Sequence, residues 1–174
     1  MRFGGLALKS DGSFGISVRK STDGGVTWGS AVQVASSNGG FQDKPAITVG
    51  PDHTNTSLDR VYVGWDDDGA GDVLEVSSSG DGGATWTAPV VVDGQADEIY
   101  AQPAVGPDGT FYIAWDNFAN TGGSRIMFSS SRDDGSTFST PVVAATSTIN
   151  VFNPSPYTIP AQPTRGISDR KSVV

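Results

Sequence analysis

Four carboxylates fall within seven residues in the stretch DDDGAGD, as Asp66, Asp67, Asp68 and Asp72. Carboxylate oxygens are the ligands that a hard divalent cation takes, and interspersed glycines let a short loop curl round an ion. Mutual repulsion gives the four a further reason to share a cation. The alternating ligand positions and closing glutamate of an EF-hand are missing. The stretch is therefore read first as a polar surface loop, with a Ca2+ site of another kind as the functional alternative. No other cofactor is required.

Other reactive residue types are sparse. The chain has no cysteine, which excludes disulfides, thiolate metal centres and thiol nucleophiles. His53 is the only histidine, in PDHTNTSLDR, and one such residue does not make a Ser-His-Asp set. Asn55, Thr56 and Ser57 match the N-glycosylation acceptor pattern. Trp65 and Trp115 recur at one place in VYVGW and FYIAW. Core packing is the expected role, and a platform for stacking a sugar is the functional alternative.

The elements that must position these residues are announced by repetition. Three octapeptides resemble one another: STDGGVTW (21–28), SGDGGATW (79–86) and SRDDGSTF (131–138). Asp23, Asp81 and Asp133 hold the same place in them, separated by 58 and 52 residues. Periods near 50 suit units of four strands. KPAITVGPD (44–52) is echoed by QPAVGPDG (102–109) and faintly by QPTRGISD (162–169). VYVGWDDD (61–68) is echoed by FYIAWDNF (111–118). Each unit then has an order. Strand A starts at Pro45 or Pro103, strand B carries VYVGW or FYIAW, and strand C is DVLEVSSS (72–79) or SRIMFSSS (124–131). The octapeptide turns the chain into strand D, TAPVVV (87–92) or STPVVAA (139–145). Dense apolar runs in A and B predict burial on both faces.

Within the octapeptide each residue has a reason. The aspartate accepts hydrogen bonds from backbone N–H groups ahead of it. Gly25, Gly83 and Gly135 supply a position of positive φ. Ser21, Ser79 and Ser131 bridge the turn with Thr27, Thr85 and Thr137. Trp28, Trp86 and Phe138 are expected to bury an aromatic ring, worth about 2–3 kcal/mol each.

The pattern S-x-D-x-G-x-T-W resembles the Asp-box, or BNR repeat, of sialidase-like β-propellers, and the resemblance runs over residues 13–169. It implies an all-β propeller of four-stranded blades, with the Asp-boxes on the rim remote from the ligand face. Blades 44–92 and 102–145 are complete; residues 1–35 supply strands B to D of another, 158–169 a lone strand A, and 170–174 a polar tail. Propellers close with about 4–8 blades, so about three per chain do not close alone. A second copy completing a six-bladed ring as a cyclic homodimer is expected. A fragment of a larger propeller is the alternative.

The resemblance also implies a ligand face built by the loops 36–43, 66–72, 93–100, 116–123 and 149–157, which are strongly acidic here. Enzymes of the family clamp a substrate carboxylate with three arginines and pair a tyrosine nucleophile with a glutamate, beside an aspartate acid/base. Carried over, Tyr100 and Glu98 are the candidate nucleophile and base, and Arg125 is the arginine nearest that face. Arg132 lies in an octapeptide and Arg60 in an A-to-B connection, both on the other side. The Arg-Ile-Pro stretch that opens the family's catalytic domain is missing, which puts catalysis in doubt. The preferred expectation is an extracellular or cell-surface module that binds a glycan or protein without catalysis. The alternative is an exo-sialidase-type glycoside hydrolase.

Composition bounds the partners. A net charge of −8 repels nucleic-acid phosphates and anionic lipid. No apolar run reaches the roughly 18 residues of a membrane span. The opening MRFGGLALKSDG is too short and glycine-broken in its apolar part for a signal peptide.

Overall fold

In a computed structural model of the chain, the described residues are 2–8, 14–36, 41–119, 123–147, 158–159 and 162–166, with side chains described within 15–36, 41–119 and 123–147. They form antiparallel sheets linked in sequence order. The first has three strands, β1 (Arg2–Leu8), β2 (Phe14–Lys20) and β3 (Val32–Ser36). The second has four, β4 (Gln42–Pro51), β5 (Asp59–Asp67), β6 (Val73–Ser79) and β7 (Val90–Val91). The third repeats that order with β8 (Glu98–Val105), β9 (Phe111–Asn117), β10 (Ser124–Ser131) and β11 (Val142–Ser147). β12 (Thr158–Ile159) and β13 (Gln162–Gly166) pair with each other as a two-stranded sheet. A 3-10 turn spans Asp68–Ala70, and there is no α-helix among the described residues.

Two cores hold the three sheets together. Ile16, Val18, Val34 and Ala35 of the first sheet pack with Val63 and Trp65 of the second. Tyr62, Leu74, Val76 and Val92 of the second pack with Ala101, Phe111, Ile113 and Trp115 of the third. Successive residues of β5 thus serve opposite neighbours, because side chains alternate across a strand. β5 is accordingly buried from Val61 to Asp66, as its apolar run predicts. Trp65 and Trp115 are 0% and 1% exposed, so both are core residues and neither offers a ring to a sugar.

The strands at the start of each four-stranded sheet begin earlier than the prolines suggest. Gln42 pairs with Asp67 and Ala46 with Gly64; Glu98 pairs with Asn117 and Gln102 with Ala114. Pro45 therefore corresponds to Ala101, and Pro103 to Ile47. The KPA and QPA echo is two residues out of structural phase, whereas the two Gly-Pro-Asp segments are in phase. A shift of two preserves which face each side chain points to, so apolar patterning does not expose it. Both strands carry a bulge here, between Asp43 and Ala46 and between Ile99 and Gln102. Lys44 (φ 47°) and Tyr100 (φ 62°) occupy the same left-handed place within them. Such conformations are uncommon for residues with a Cβ.

The three octapeptides fold alike. Asp23 Oδ1 accepts from Ser21 Oγ at 2.7 Å and from Thr27 N at 2.9 Å, and Asp23 Oδ2 accepts from Thr27 Oγ1 at 2.5 Å. Asp81 has the same partners in Ser79 and Thr85 at 2.8, 2.9 and 2.6 Å. Asp133 repeats them with Ser131 and Thr137 at 2.7, 2.9 and 2.5 Å. Hydrogen bonds that favour the ionised form hold the Asp23 and Asp81 carboxyls well below the usual range, threonine contributing most. Gly25, Gly83 and Gly135 have φ of 96°, 93° and 84°.

Two of the three aromatic rings pack as expected and the first does not. Trp86 packs against the core shared with the first sheet, and Phe138 against the core shared with the second, edge-on to Phe111 at 6.2 Å. Each ring thus caps the seam with the preceding sheet. Trp28 is 38% exposed, because no sheet precedes it among the described residues.

Opposite the bulges, the second and third sheets are joined through charge. Arg60 contacts Asp52 at 2.7 Å and reaches across the seam to Asp134 at 3.3 Å. Asp134 also accepts from the backbone N of His53 at 3.2 Å, and its carbonyl accepts from Ser78 Oγ at 2.9 Å.

Candidate ligand face

The acidic loops project from the end where β4 and β8 begin and β5 and β9 finish. The repeat places equivalent residues there: Gln42 and Glu98, Lys44 and Tyr100, Asp66 and Asp116. Backbone bonds from Asp97 N to Gly71 O (3.0 Å) and from Glu98 N to Asp72 O (2.8 Å) tie the two sheets together at this end.

Glu98 is 0% exposed, and its Oε1 accepts from Trp115 Nε1 at 2.5 Å. Its other oxygen, Oε2, is enclosed with no hydrogen-bond partner. Burial, then the nearby Asp93 charge, push its pKa up to about 8. Asp66 is 1% exposed, and burial raises it to about 7, with Asp43 and Asp72 adding to the rise and Lys44 opposing it. Asp72 is raised by burial and then by Asp68 and Asp97. The Lys44 ammonium is ion-paired with Asp43 and lies 5.4 Å from the centre of the Tyr100 ring. Burial works against its charge, and Asp43, Asp66 and Tyr100 outweigh that, so it titrates above its ordinary value.

The four aspartates of DDDGAGD are separated by the fold. Asp66 and Asp67 lie inside β5 and point to opposite faces. Asp67 caps the 3-10 turn by accepting from Gly69 N at 2.9 Å. Asp68 opens that turn, and Asp72 follows it in a left-handed conformation (φ 57°). Among the described residues, no three His, Asp or Glu side chains stand together as a metal site would need.

Glu98 and Tyr100 also diverge. The bulge between Ile99 and Gln102 turns Glu98 to Trp115 and Asp93, and Tyr100 to Lys44. Arg125 is exposed on β10, opposite Asn117 on one side and Thr146 on the other. The grouping that does form is Lys44, Asp43, Asp66 and Tyr100. Lys44 escapes sequence inspection, because the KPA echo aligns it with Gln102 in place of Tyr100. Phasing the repeat on Gly-Pro-Asp would have found it.

No family model matches the sequence, and no curated protein matches it. Among solved structures the chain is similar to a point mutant of NanB sialidase from Streptococcus pneumoniae, with 19% identity and a TM-score of 0.53 over 76% of this chain and 19% of that one. It is likewise similar to the Hadza microbial sialidase Hz136, with 19% identity and a TM-score of 0.52 over 80% of this chain and 37% of that one. The fold is sialidase-like. This sialidase-like chain spans less than two-fifths of the length of either structure.

The arginines of the sialidase-like chain whose side chains are described are dispersed. Arg60 is held by Asp52 and Asp134 at the far end of the strands. Arg19 is exposed and donates to Gly29 O at 3.1 Å, beside the first octapeptide. Arg132 lies in the third octapeptide, near Asp108. No helix among the described residues is long and apolar enough to cross a membrane.

Proposed function

We propose that the chain forms sectors of a β-propeller, with Asp-box turns on the rim remote from its ligand face, and serves as an extracellular module. It binds a glycan or protein ligand and does not hydrolyse it. The observation that carries this reading is the dispersal of the arginines whose side chains are described. A carboxylate clamp needs guanidinium groups converging on one point. Of the described arginines with side chains, Arg19, Arg60 and Arg132 lie at the octapeptide end, and Arg125 stands alone on an outer strand. The ligand face instead offers the Lys44 ammonium and the Tyr100 ring, with the Asp66 carboxyl buried behind them. An ammonium donor beside an aromatic ring suits hydroxyl-rich ligands.

A fluorogenic sialoside, with other aryl glycosides alongside, tests the absence of hydrolysis, and a glycan array tests binding. No turnover is expected, with retention of a glycan that Lys44→Ala and Tyr100→Ala both weaken. Turnover abolished by Tyr100→Phe establishes the hydrolase reading instead.

A further inference from the structure

Lys44 is held twice by the residue before it. Asp43 Oδ1 accepts from the Lys44 backbone N at 2.7 Å, and Asp43 Oδ2 is ion-paired with the Lys44 ammonium. The side chains of Lys44 and Asp43 are 30% and 26% exposed, so solvent reaches the pair, with the half-buried Tyr100 ring beside it.

The repeat separates what the bulge needs from what Asp43 adds. Asp66 and Asp116 are equivalent, so Ile99 occupies the place of Asp43 and Tyr100 that of Lys44. The third sheet forms the same bulge, with its left-handed residue at φ 62°, and has no carboxylate before it. The backbone conformation therefore does not depend on an aspartate. What Asp43 contributes beyond the third sheet is charge, placed on the Lys44 ammonium.

The surroundings of the pair are negative as well. Asp66 stands opposite Asp43 across the β4–β5 ladder, 1% exposed, with Oδ1 enclosed and without a hydrogen-bond partner. Asp72 is raised first by burial and then by Asp68 and Asp97, so carboxylates from both sheets add their fields at this end. One ammonium faces all of them.

We propose that Asp43 sets the class of ligand at this site: because it cancels the Lys44 charge, the site takes neutral, hydroxyl-rich glycans and rejects those that carry a carboxylate. An ammonium has three N–H donors, of which Asp43 engages one, so Lys44 keeps donors for sugar hydroxyls. A ligand carboxylate has to displace Asp43 from Lys44 and enter the field of Asp66, Asp68, Asp72 and Asp97. A neutral sugar does neither. Asp43 acts through Lys44 and is a positioning residue. This specificity rests on the glycan-binding reading above and names its ligand class.

Pairs of immobilised glycans that differ only in a terminal sugar acid test it. At low ionic strength the wild-type chain is expected to retain the neutral member of each pair about tenfold more tightly. Added salt narrows that gap by screening. Asp43→Asn keeps an acceptor for the Lys44 backbone N and frees the ammonium. It is expected to close most of the gap by tightening the acidic member, a gain that structural damage does not produce, since damage weakens both members alike. Asp72→Asn leaves the Asp43–Lys44 pair in place and narrows the gap less. A wild-type chain that prefers the acidic members, or a ratio that neither salt nor Asp43→Asn moves, overturns the inference and spares the binding reading. A chain that retains no member of any pair overturns the binding reading, and this inference falls with it.

Discussion

Glu98 accepts a hydrogen bond from the indole of Trp115 within the core between the second and third sheets, at 2.5 Å and with no exposed surface. An acid so placed is stable as the neutral carboxyl, and its partner Trp115 is a central residue of that core.

This pairing sets a pH dependence. The folded pKa of Glu98 is raised from 4.5 to about 8 and that of Asp66 from 3.8 to about 7. The folded state therefore holds protons that the unfolded chain has released. The contribution of these two groups is complete below their unfolded values and declines as pH rises from about 4 to about 8. Thermal melts across that range are expected to show a falling Tm. Glu98→Gln keeps an acceptor for Trp115 and flattens the decline, raising Tm at pH 8 and changing it little at pH 5. A Tm that climbs from pH 5 to pH 8 contradicts the assignment.

The Arg60 bridge yields an ordered pair of mutants. Arg60→Ala leaves Asp52, whose side chain is 7% exposed, without its cation, at a cost of about 2–4 kcal/mol. Asp134→Ala removes the weaker 3.3 Å contact and the acceptor of His53 N, at a cost of about 1–2 kcal/mol. Urea denaturation of both variants checks the order, and equal losses would mean that the bridge is not centred on Asp52.

Two glycines mark close approaches between sheets. A Cβ on Gly109 would lie 2.5 Å from the His53 Cα, and φ there is +78°, so both contact and conformation oppose a side chain. On Gly50 it would lie 2.4 Å from the Val105 Cβ. Gly109→Ala is expected to cost at least about 2 kcal/mol, and Gly50→Ala about 1–3 kcal/mol. Denaturation midpoints provide the check.

Chelation tests the aspartate stretch. With Asp66 and Asp67 on opposite strand faces and Asp67 capping Gly69, excess EDTA or added Ca2+ should move Tm by less than about 1 °C. A rise of several degrees with Ca2+ would show that these carboxylates regroup around an ion.

The local chemistry of the turns was legible in the sequence. Ser, Asp, Gly and Thr at fixed spacing satisfy one another within eight residues, so each octapeptide folds alike wherever it stands. Strand order within each four-stranded sheet followed from the spacing of those turns. The candidate site was legible only in part. Asp66 and Asp67 look like one ligand group in sequence, yet strand alternation sends them apart. Glu98 and Tyr100 look paired, yet a bulge divides them, and Lys44 joins Tyr100 from 56 residues away. The burial of Trp86 and the exposure of Trp28 depend on whether another sheet precedes them, which the octapeptide does not encode. Short-range hydrogen bonding belongs to the sequence alone; desolvation and charge pairing belong to whichever surfaces the tertiary structure brings face to face.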